Sequence, residues 1–173
     1  YKEQGRKLPD PRPVLESCFR AVAARSEQFP PGGSARRRIA LGGKSMGGRI
    51  ASHLTASGYP ADALVFLGYP LHAPGKPDQR RDQHLYGIRC PMLFLSGTRD
   101  AFATPELLEL VVKRIGKLAT LSWIQGGDHS YRVKGRLQKQ VYAEALDTVA
   151  QWLQASGLCG YRPPACRSEG EER

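Results

Sequence analysis

Residues 39–49 read IALGGKSMGGR, and no other part of the chain carries as much information about its architecture. The segment begins with the apolar run Ile39-Ala40-Leu41, which stops at a glycine pair and is typical of a buried β-strand. Beyond the glycines, Met46, Ile50 and Leu54 recur four residues apart, which is the spacing of the buried face of an α-helix. The segment therefore predicts a strand that passes through a sharp glycine-rich turn into a helix.

Apolar runs bounded by glycine recur along the rest of the chain. They cover residues 63–67, 92–95 and 118–125, and each is followed by a helical pattern or a long crossover. The longest crossover, residues 69–89, contains three prolines and several charged residues. Four continuous apolar strands connected in this way predict an α/β protein with a parallel sheet that has helices on both faces.

Helical spacing also predicts the faces by which the helices pack. Thr104 is the expected N-cap of one helix, with Pro105 at its first position. The predicted inner faces consist of Leu15, Cys18, Phe19 and Val22 in a first helix, Leu108, Val111, Val112 and Ile115 in the helix after Thr104, and Tyr142, Ala145, Leu146, Val149, Trp152 and Leu153 in the last helix.

Residues that follow the strands are the candidates for chemistry, because parallel sheets bind ligands beyond the carboxyl ends of their strands. Gly43 to Gly47 match G-x-S-x-G, a pattern in which a strained strand-to-helix turn exposes a serine above the sheet. Ser45 is thus the candidate nucleophile, and the amide of Met46 is the candidate donor to an oxyanion. The pattern alone also fits a glycine-rich turn with an incidental serine, so the assignment depends on a base and an acid elsewhere.

The base that a serine hydroxyl requires is expected to be a histidine. His53 lies within the predicted helix after the serine, and His72 and His84 lie in the long crossover. Only His129, in the sequence GGDHS, directly follows a strand. His129 is therefore the candidate base.

The acid that orients the histidine is expected at another strand end. Asp100 is the last residue of the sequence GTRD, which comes just after the third strand. Asp128 is the rival, but it is adjacent to His129, and the side chains of adjacent residues point in different directions. The order Ser45, Asp100, His129 is the Ser–Asp–His order typical of α/β-hydrolases.

Several segments carry a resemblance to a known family. They are GGKSMGGR at 42–49, GYPLH at 68–72 with PGKP at 74–77, GTRD at 97–100 and GDHSY at 127–131. Together they resemble the dienelactone-hydrolase-like branch of the α/β-hydrolases. More narrowly, they are similar to the group that includes testis-expressed hydrolase-like proteins and a subunit of a histone acetyltransferase complex. The resemblance extends to about residue 155.

This resemblance implies an α/β-hydrolase fold whose N-terminal strands are missing from the chain. Family members begin with further strands and a His-Gly-rich loop that supplies a second oxyanion donor, and nothing upstream of Ser45 matches that loop. The alternative is that the protein has lost this half of its oxyanion hole. The expected organisation is a hydrolase domain over residues 1–156, its C-terminal two-thirds, followed by a polar, disordered tail over residues 157–173.

Composition excludes several other classes of protein. The formal net charge is +10, but the basic residues are spread along the chain, which favours solvated surface charge over nucleic-acid binding. There is no apolar stretch long enough to span a membrane and no signal-peptide pattern, which predicts a cytoplasmic protein. No cysteine or histidine spacing indicates a metal, and no cofactor is implied, although Cys159 and Cys166 could form a disulfide.

The sequence thus predicts a serine hydrolase that cleaves a small-molecule ester, lactone or thioester through an acyl-enzyme. Tyr69 and His72 follow the second strand and are expected to shape the substrate pocket. Lys44 and Arg49 flank the serine, where they either favour an acidic acyl group or serve as exposed cations at the start of a helix. The alternative is a non-catalytic interaction module on a hydrolase scaffold, because fold does not determine function. Oligomeric state has no signal in the sequence.

Overall fold

The structure, a computed structural model, describes Gly5, residues 9–27 and residues 38–158. Its strands are β1 (Ala40–Lys44), β2 (Ala63–Leu67), β3 (Met92–Gly97) and β4 (Ala119–Ile124). Its α-helices are α1 (Arg12–Glu27), α2 (Met46–Ala56), α3 (Pro105–Ile115) and α4 (Gln138–Ala155). Two short 3-10 helices cover Gln83–Gly87 and Gly116–Leu118.

The four strands form one parallel sheet in the order β1-β2-β3-β4. Leu67 pairs with Lys44 on one side and with Leu95 on the other, and Gly97 pairs with Ile124. Because all the strands point the same way, their carboxyl ends lie along one edge of the sheet. The predicted parallel sheet is confirmed, and β1 runs further than expected, through the glycine pair to residue 44.

One face of the sheet packs against α2 and α3. Phe66 and Phe94 are paired in register and their ring centroids are 4.8 Å apart. They belong to a buried cluster that also contains Ala51 of α2 and Leu108 of α3. Side chains alternate between the faces of a strand, so the neighbours of these residues along each strand point to the other side.

The opposite face packs against α4. Leu95 and Ile124 form a second buried cluster with Val141 and Ala145 of that helix. The expected arrangement, with helices on both faces, is therefore confirmed.

The predicted inner face of α4 is partly wrong, since Ala145 and Val149 pack against the second cluster but two other predicted residues do not. Tyr142 and Leu146 are 47% and 64% exposed, whereas Val141 is fully buried. The helix is oriented so that Val141 and Ala145 pack against the sheet. Tyr142 and Leu146 instead line an open cavity of about 340 Å³ beside Leu67.

The predicted inner face of α1 is also partly wrong. Val22 is 66% exposed and Cys18 is exposed, whereas Ala23 is buried against Leu54 and Tyr59. In contrast, the predicted face of α3 is confirmed, and its N-cap is as expected, since the Thr104 hydroxyl accepts a hydrogen bond from the amide of residue 107.

Two expectations concern the C-terminal end of the chain. The predicted tail at residues 157–173 begins just after α4, but residues 159–173 lie outside the described part of the structure, as do Cys159 and Cys166. Cys18 and Cys90 are free thiols. In the described ranges, no helix has both the length and the apolar character needed to cross a membrane.

Candidate active site

Ser45 lies in the turn between β1 and α2, in a conformation that L-residues rarely adopt. Its φ is 53° and its ψ is −112°. Strain of this kind costs on the order of 1–3 kcal/mol and persists only where the surroundings impose it. Here the Ser45 amide donates to the carbonyl of Leu67 at 2.9 Å, and the Ser45 carbonyl accepts from the amide of Arg49 at 3.2 Å. The turn is thus fixed to β2 on one side and to α2 on the other.

Glycines around the serine allow the strand and the helix to approach closely. A Cβ at Gly48 would lie 2.8 Å from the carbonyl oxygen of Gly43 and 3.1 Å from the Phe66 ring. A Cβ at Gly43 would lie 3.1 Å from the backbone of Gly47. Gly47, the last glycine of the motif, has its nearest such neighbour at 3.9 Å, in Phe19. The tight positions between β1 and α2 are therefore 43 and 48, and residue 48 falls outside the five-residue pattern.

The structure brings the three predicted residues Ser45, Asp100 and His129 into one chain of hydrogen bonds. His129 Nε2 is 2.8 Å from Ser45 Oγ. Its Nδ1 is 2.9 Å from Asp100 Oδ1 and 2.8 Å from Asp100 Oδ2. The Asp100 carboxylate is buried, and its Oδ1 also accepts from the Phe102 amide at 2.8 Å. A hydroxyl, an imidazole and a buried carboxylate are thus aligned at the carboxyl edge of the sheet.

Asp128, the rival acid, instead stabilises the loop that carries His129 (residues 127–132), which we call the histidine loop. Its Oδ1 accepts from the amides of Ser130 and Arg132 at 2.8 and 2.9 Å. The Arg132 amide, first among several causes, lowers the pKa of this carboxyl. Tyr131 has a φ of 63°, and its buried hydroxyl donates to the carbonyl of Leu95 at 2.7 Å. The loop that carries His129 is therefore fixed by its own side chains and by β3.

Lys44 contributes a contact that the sequence did not predict. Its ammonium donates to the His129 carbonyl and lies 4.7 Å from the centre of the Tyr131 ring. Burial lowers the pKa of Lys44, while Asp100 and Asp128 act in the opposite direction. Lys44 therefore connects the end of β1 to the histidine loop.

Gly68 lies beneath these side chains at the end of β2. Its φ is +66°, and a Cβ there would lie 2.7 Å from Lys44 Nζ. The same Cβ would lie 3.5 Å from both Asp100 Oδ2 and His129 Cε1. The absence of a side chain at this position leaves room for the Lys44 ammonium, next to the acid and the base.

Tyr69 and His72, the predicted pocket residues, are both buried. Tyr69 is 1% exposed, and its hydroxyl donates to the carbonyl of Arg81 at 3.3 Å. His72 is 3% exposed, with Nδ1 2.8 Å from the carbonyl of Ala73. The recorded polar contacts of both side chains are with residues outside the triad.

Phe102 connects the segment after β2, which carries Tyr69 and His72, to the candidate base His129. The Phe102 carbonyl accepts from the His72 amide at 3.2 Å, and its ring lies 4.2 Å from the His129 ring, centre to centre. Nothing in the sequence around Phe102 predicted its contact with His129.

The amide of Met46, the predicted oxyanion donor, is the first of helix α2. The first amides of a helix have no acceptor within it. An oxyanion formed on the serine side of this turn would therefore meet an available N–H donor and the positive end of the helix dipole.

A second serine–histidine pair has a different environment. Ser52 Oγ is 2.8 Å from His84 Nε2, but Ser52 is fully buried in the middle of α2 and donates to the carbonyl of Arg49 at 2.7 Å. Among the residues that the structure describes, no carboxylate forms a hydrogen bond with His84. A hydroxyl without access to a substrate is suited to packing rather than to nucleophilic attack.

Within the described ranges, no three His, Cys, Asp or Glu side chains are grouped so that they could hold a metal ion.

A family model described as an alpha/beta hydrolase domain matches residues 1–154. Among solved structures, the chain is similar to the apo form of esterase 2 from Thermogutta terrifontis, with 19% identity, a TM-score of 0.52 and coverage of 72% of this chain and 57% of the esterase. It is also similar to the esterase domain of a Rhodothermus marinus protein, with 15% identity, a TM-score of 0.59 and coverage of 82% and 68%, respectively.

A third similar structure is a puromycin hydrolase, with 17% identity, a TM-score of 0.59 and coverage of 84% of this chain and 25% of the hydrolase. The present chain thus spans less than two thirds of the length of this hydrolase and of esterase 2.

Proposed function

This chain belongs to the alpha/beta hydrolase domain family, and on that premise we propose that it is a serine hydrolase that cleaves a carboxylic ester, lactone or thioester. The observation that carries the proposal is the continuous hydrogen-bond chain from Ser45 through His129 to buried Asp100. A buried carboxylate against one ring nitrogen and a hydroxyl against the other is the arrangement that nucleophilic acyl transfer requires.

The proposed reaction assigns one role to each side chain. Ser45 Oγ attacks the carbonyl carbon while His129 Nε2 takes the hydroxyl proton, and the Met46 amide donates to the oxyanion. The protonated imidazole then gives its proton to the leaving group, and an acyl-enzyme remains. Water activated by the same nitrogen releases the acid and restores the serine. Asp100 holds the imidazole in the tautomer whose free Nε2 can accept a proton.

The open cavity next to the histidine loop supports a substrate with an apolar part. It has a volume of about 340 Å³, and Leu67, Tyr131, Tyr142 and Leu146 contribute to its walls. Pockets of this size and lining bind small molecules by burying apolar surface. We assign the apolar portion of the substrate to this cavity, within the narrower dienelactone-hydrolase-like grouping that the sequence motifs indicate.

The test is covalent labelling of the full-length protein with a fluorophosphonate probe, which reacts with an activated serine. We expect stoichiometric labelling that is abolished by Ser45→Ala. Ser17→Ala removes an exposed serine on α1 and is expected to leave labelling unchanged. Ser52→Ala, at the second serine–histidine pair, is expected to remain labelled. Failure of the folded wild-type protein to label would reject the proposal in favour of an interaction module.

A further inference from the structure

A second cavity, of about 620 Å³, lies beside α2 and shares no lining residue with the triad. Its walls come from the start of α1, from two turns of α2 and from the crossover after β2. Most of its lining is cationic or imidazole, and these residues are Arg12, Arg49, Arg80, Arg81, His53 and His84.

Two of the four guanidinium groups are already paired. Arg12 contacts Glu16 at 3.2 Å, and Arg80 forms an ion pair with Asp82. In the described ranges, neither Arg49 nor Arg81 has a recorded ion pair, and Arg49 Nε is buried without a hydrogen-bond partner. A buried donor left without an acceptor is unfavourable, so this position favours the arrival of an acceptor.

Positive charges converge on this cavity. Burial, then Arg81, then Arg12 lower the pKa of Arg49, while Tyr69 raises it. Arg81 is fixed at the rim by its main chain, whose amide donates to the carbonyl of Leu71 at 2.8 Å and whose carbonyl accepts from the Tyr69 hydroxyl. Arg49 and Arg81, which have no ion pair with a described carboxylate, repel each other, and an anion between them reduces that repulsion.

Two stacked imidazoles form a flat wall of the same cavity. The rings of His53 and His84 lie 3.7 Å apart, centre to centre, at an interplanar angle of 16°. The orientation of the His84 ring is set by Ser52, whose hydroxyl lies 2.8 Å from Nε2. The wall is therefore rigid and can contact a planar group or a phosphate oxygen.

We propose that this cavity is a binding site for a small molecule that carries a phosphate or diphosphate group. Guanidinium groups suit phosphate because each offers several N–H donors in a planar fork, and two unpaired guanidinium groups can share the oxygens of one dianion. The concave shape and the stacked rings favour a compact ligand over a nucleic-acid strand, which requires an extended basic surface. The site goes beyond the proposed hydrolysis and does not depend on it.

The test uses inorganic diphosphate as the ligand of the full-length protein, measured by titration calorimetry at physiological salt. We expect saturable binding of one diphosphate per chain. Arg81→Gln and Arg12→Gln are each expected to weaken binding about tenfold or more, the order expected for one charge-assisted hydrogen bond. Arg89→Gln removes an exposed cation outside the cavity and is expected to change the affinity less than twofold.

A second readout localises the ligand. In ¹⁵N spectra of the histidine side chains, we expect diphosphate to shift the signals of His53 and His84 and not that of His129. Absence of saturable binding would overturn the proposal. So would an equal loss of affinity in the Arg81 and Arg89 variants, or a short single-stranded RNA that binds tighter than diphosphate and loses affinity equally in both, since these results indicate diffuse electrostatic attraction.

Discussion

His129 contacts a carboxylate with one ring nitrogen and a hydroxyl with the other, and this asymmetry determines which nitrogen carries the proton. The Asp100 carboxylate can only accept, so it selects the tautomer with the proton on Nδ1. Nε2 is then free to accept the Ser45 proton. The buried carboxylate also accepts from the Phe102 amide, which holds it in place.

Replacing the acid by its amide tests this assignment. Asp100→Asn keeps an acceptor for the Phe102 amide but offers an N–H₂ group to the ring, which favours the wrong tautomer. We expect a loss of about 10⁴-fold in kcat for ester turnover by the full-length protein, with the fold intact by circular dichroism. Asp128→Asn is the matched control, because its oxygen can still accept from the loop amides, and we expect a change of less than tenfold. Equal losses in both variants would contradict the assignment.

At the scale of elements, the contact between β1 and α2 depends on Gly48 rather than on the last glycine of the serine motif. A Cβ at position 48 would meet the backbone of Gly43, which cannot move without displacing the strand. Position 47 has no such neighbour. The two adjacent glycines therefore have different structural roles, although the sequence presents them identically.

Alanine substitutions separate these roles. We expect Gly48→Ala to lower the free energy of unfolding by about 1–3 kcal/mol through overpacking. For Gly47→Ala we expect a change within about 1 kcal/mol of zero, because alanine is favoured in a helix and the nearest neighbour leaves space. Urea denaturation monitored by circular dichroism measures both. If Gly47→Ala proves the more damaging, the close approach has been assigned to the wrong residue.

Strands and helices differ in how far their sequences predict them. The runs at 63–67 and 92–95 are apolar throughout, as expected of strands buried on both faces, and their bounds closely match β2 and β3. In α4, by contrast, the apolar residues surround much of the helix. The choice between Val141 and Tyr142 as the buried residue therefore depends on the shape of the sheet. That shape is a property of residues distant in sequence, which no local pattern contains.

At the scale of the whole molecule, one part of the candidate site was predictable from the sequence and another part was not. The positions of Ser45, Asp100 and His129 after their strands predicted that they would meet, because parallel topology brings strand ends together. The contacts of Lys44 and Phe102 were not predictable, since each depends on how a loop folds back over the sheet.

Stability of the whole chain is expected to depend on pH through His84. Burial, then His53, Arg12 and Arg49, lower its pKa in the folded state to about 4, from about 6.5 in an unfolded chain. Between these values the unfolded state binds a proton that the folded state does not. The free energy of unfolding therefore falls as the pH is lowered from about 6.5 toward about 4.

His84→Gln removes this titration, so we expect a shallower fall in the variant than in the wild type. Urea denaturation at pH 7.5, 5.5 and 4.5 compares the two proteins. At pH 7.5 the imidazole is neutral in both states, and this condition measures any loss of packing on its own. Parallel curves across the three pH values would show that another group is responsible.

Gly68, at the end of β2, is a position at which we expect substitutions to be poorly tolerated. Position 68 supplies neither a proton nor a nucleophile, yet a single methyl group there would displace the Lys44 ammonium and touch the Asp100 carboxylate and the His129 ring, at a backbone angle unfavourable for any larger residue. In a saturation scan scored by catalysis, we therefore expect substitutions at position 68 to lower the activity through the displaced Lys44 contact and the strained backbone. A position without any reactive atom can therefore still be required for the geometry of the site.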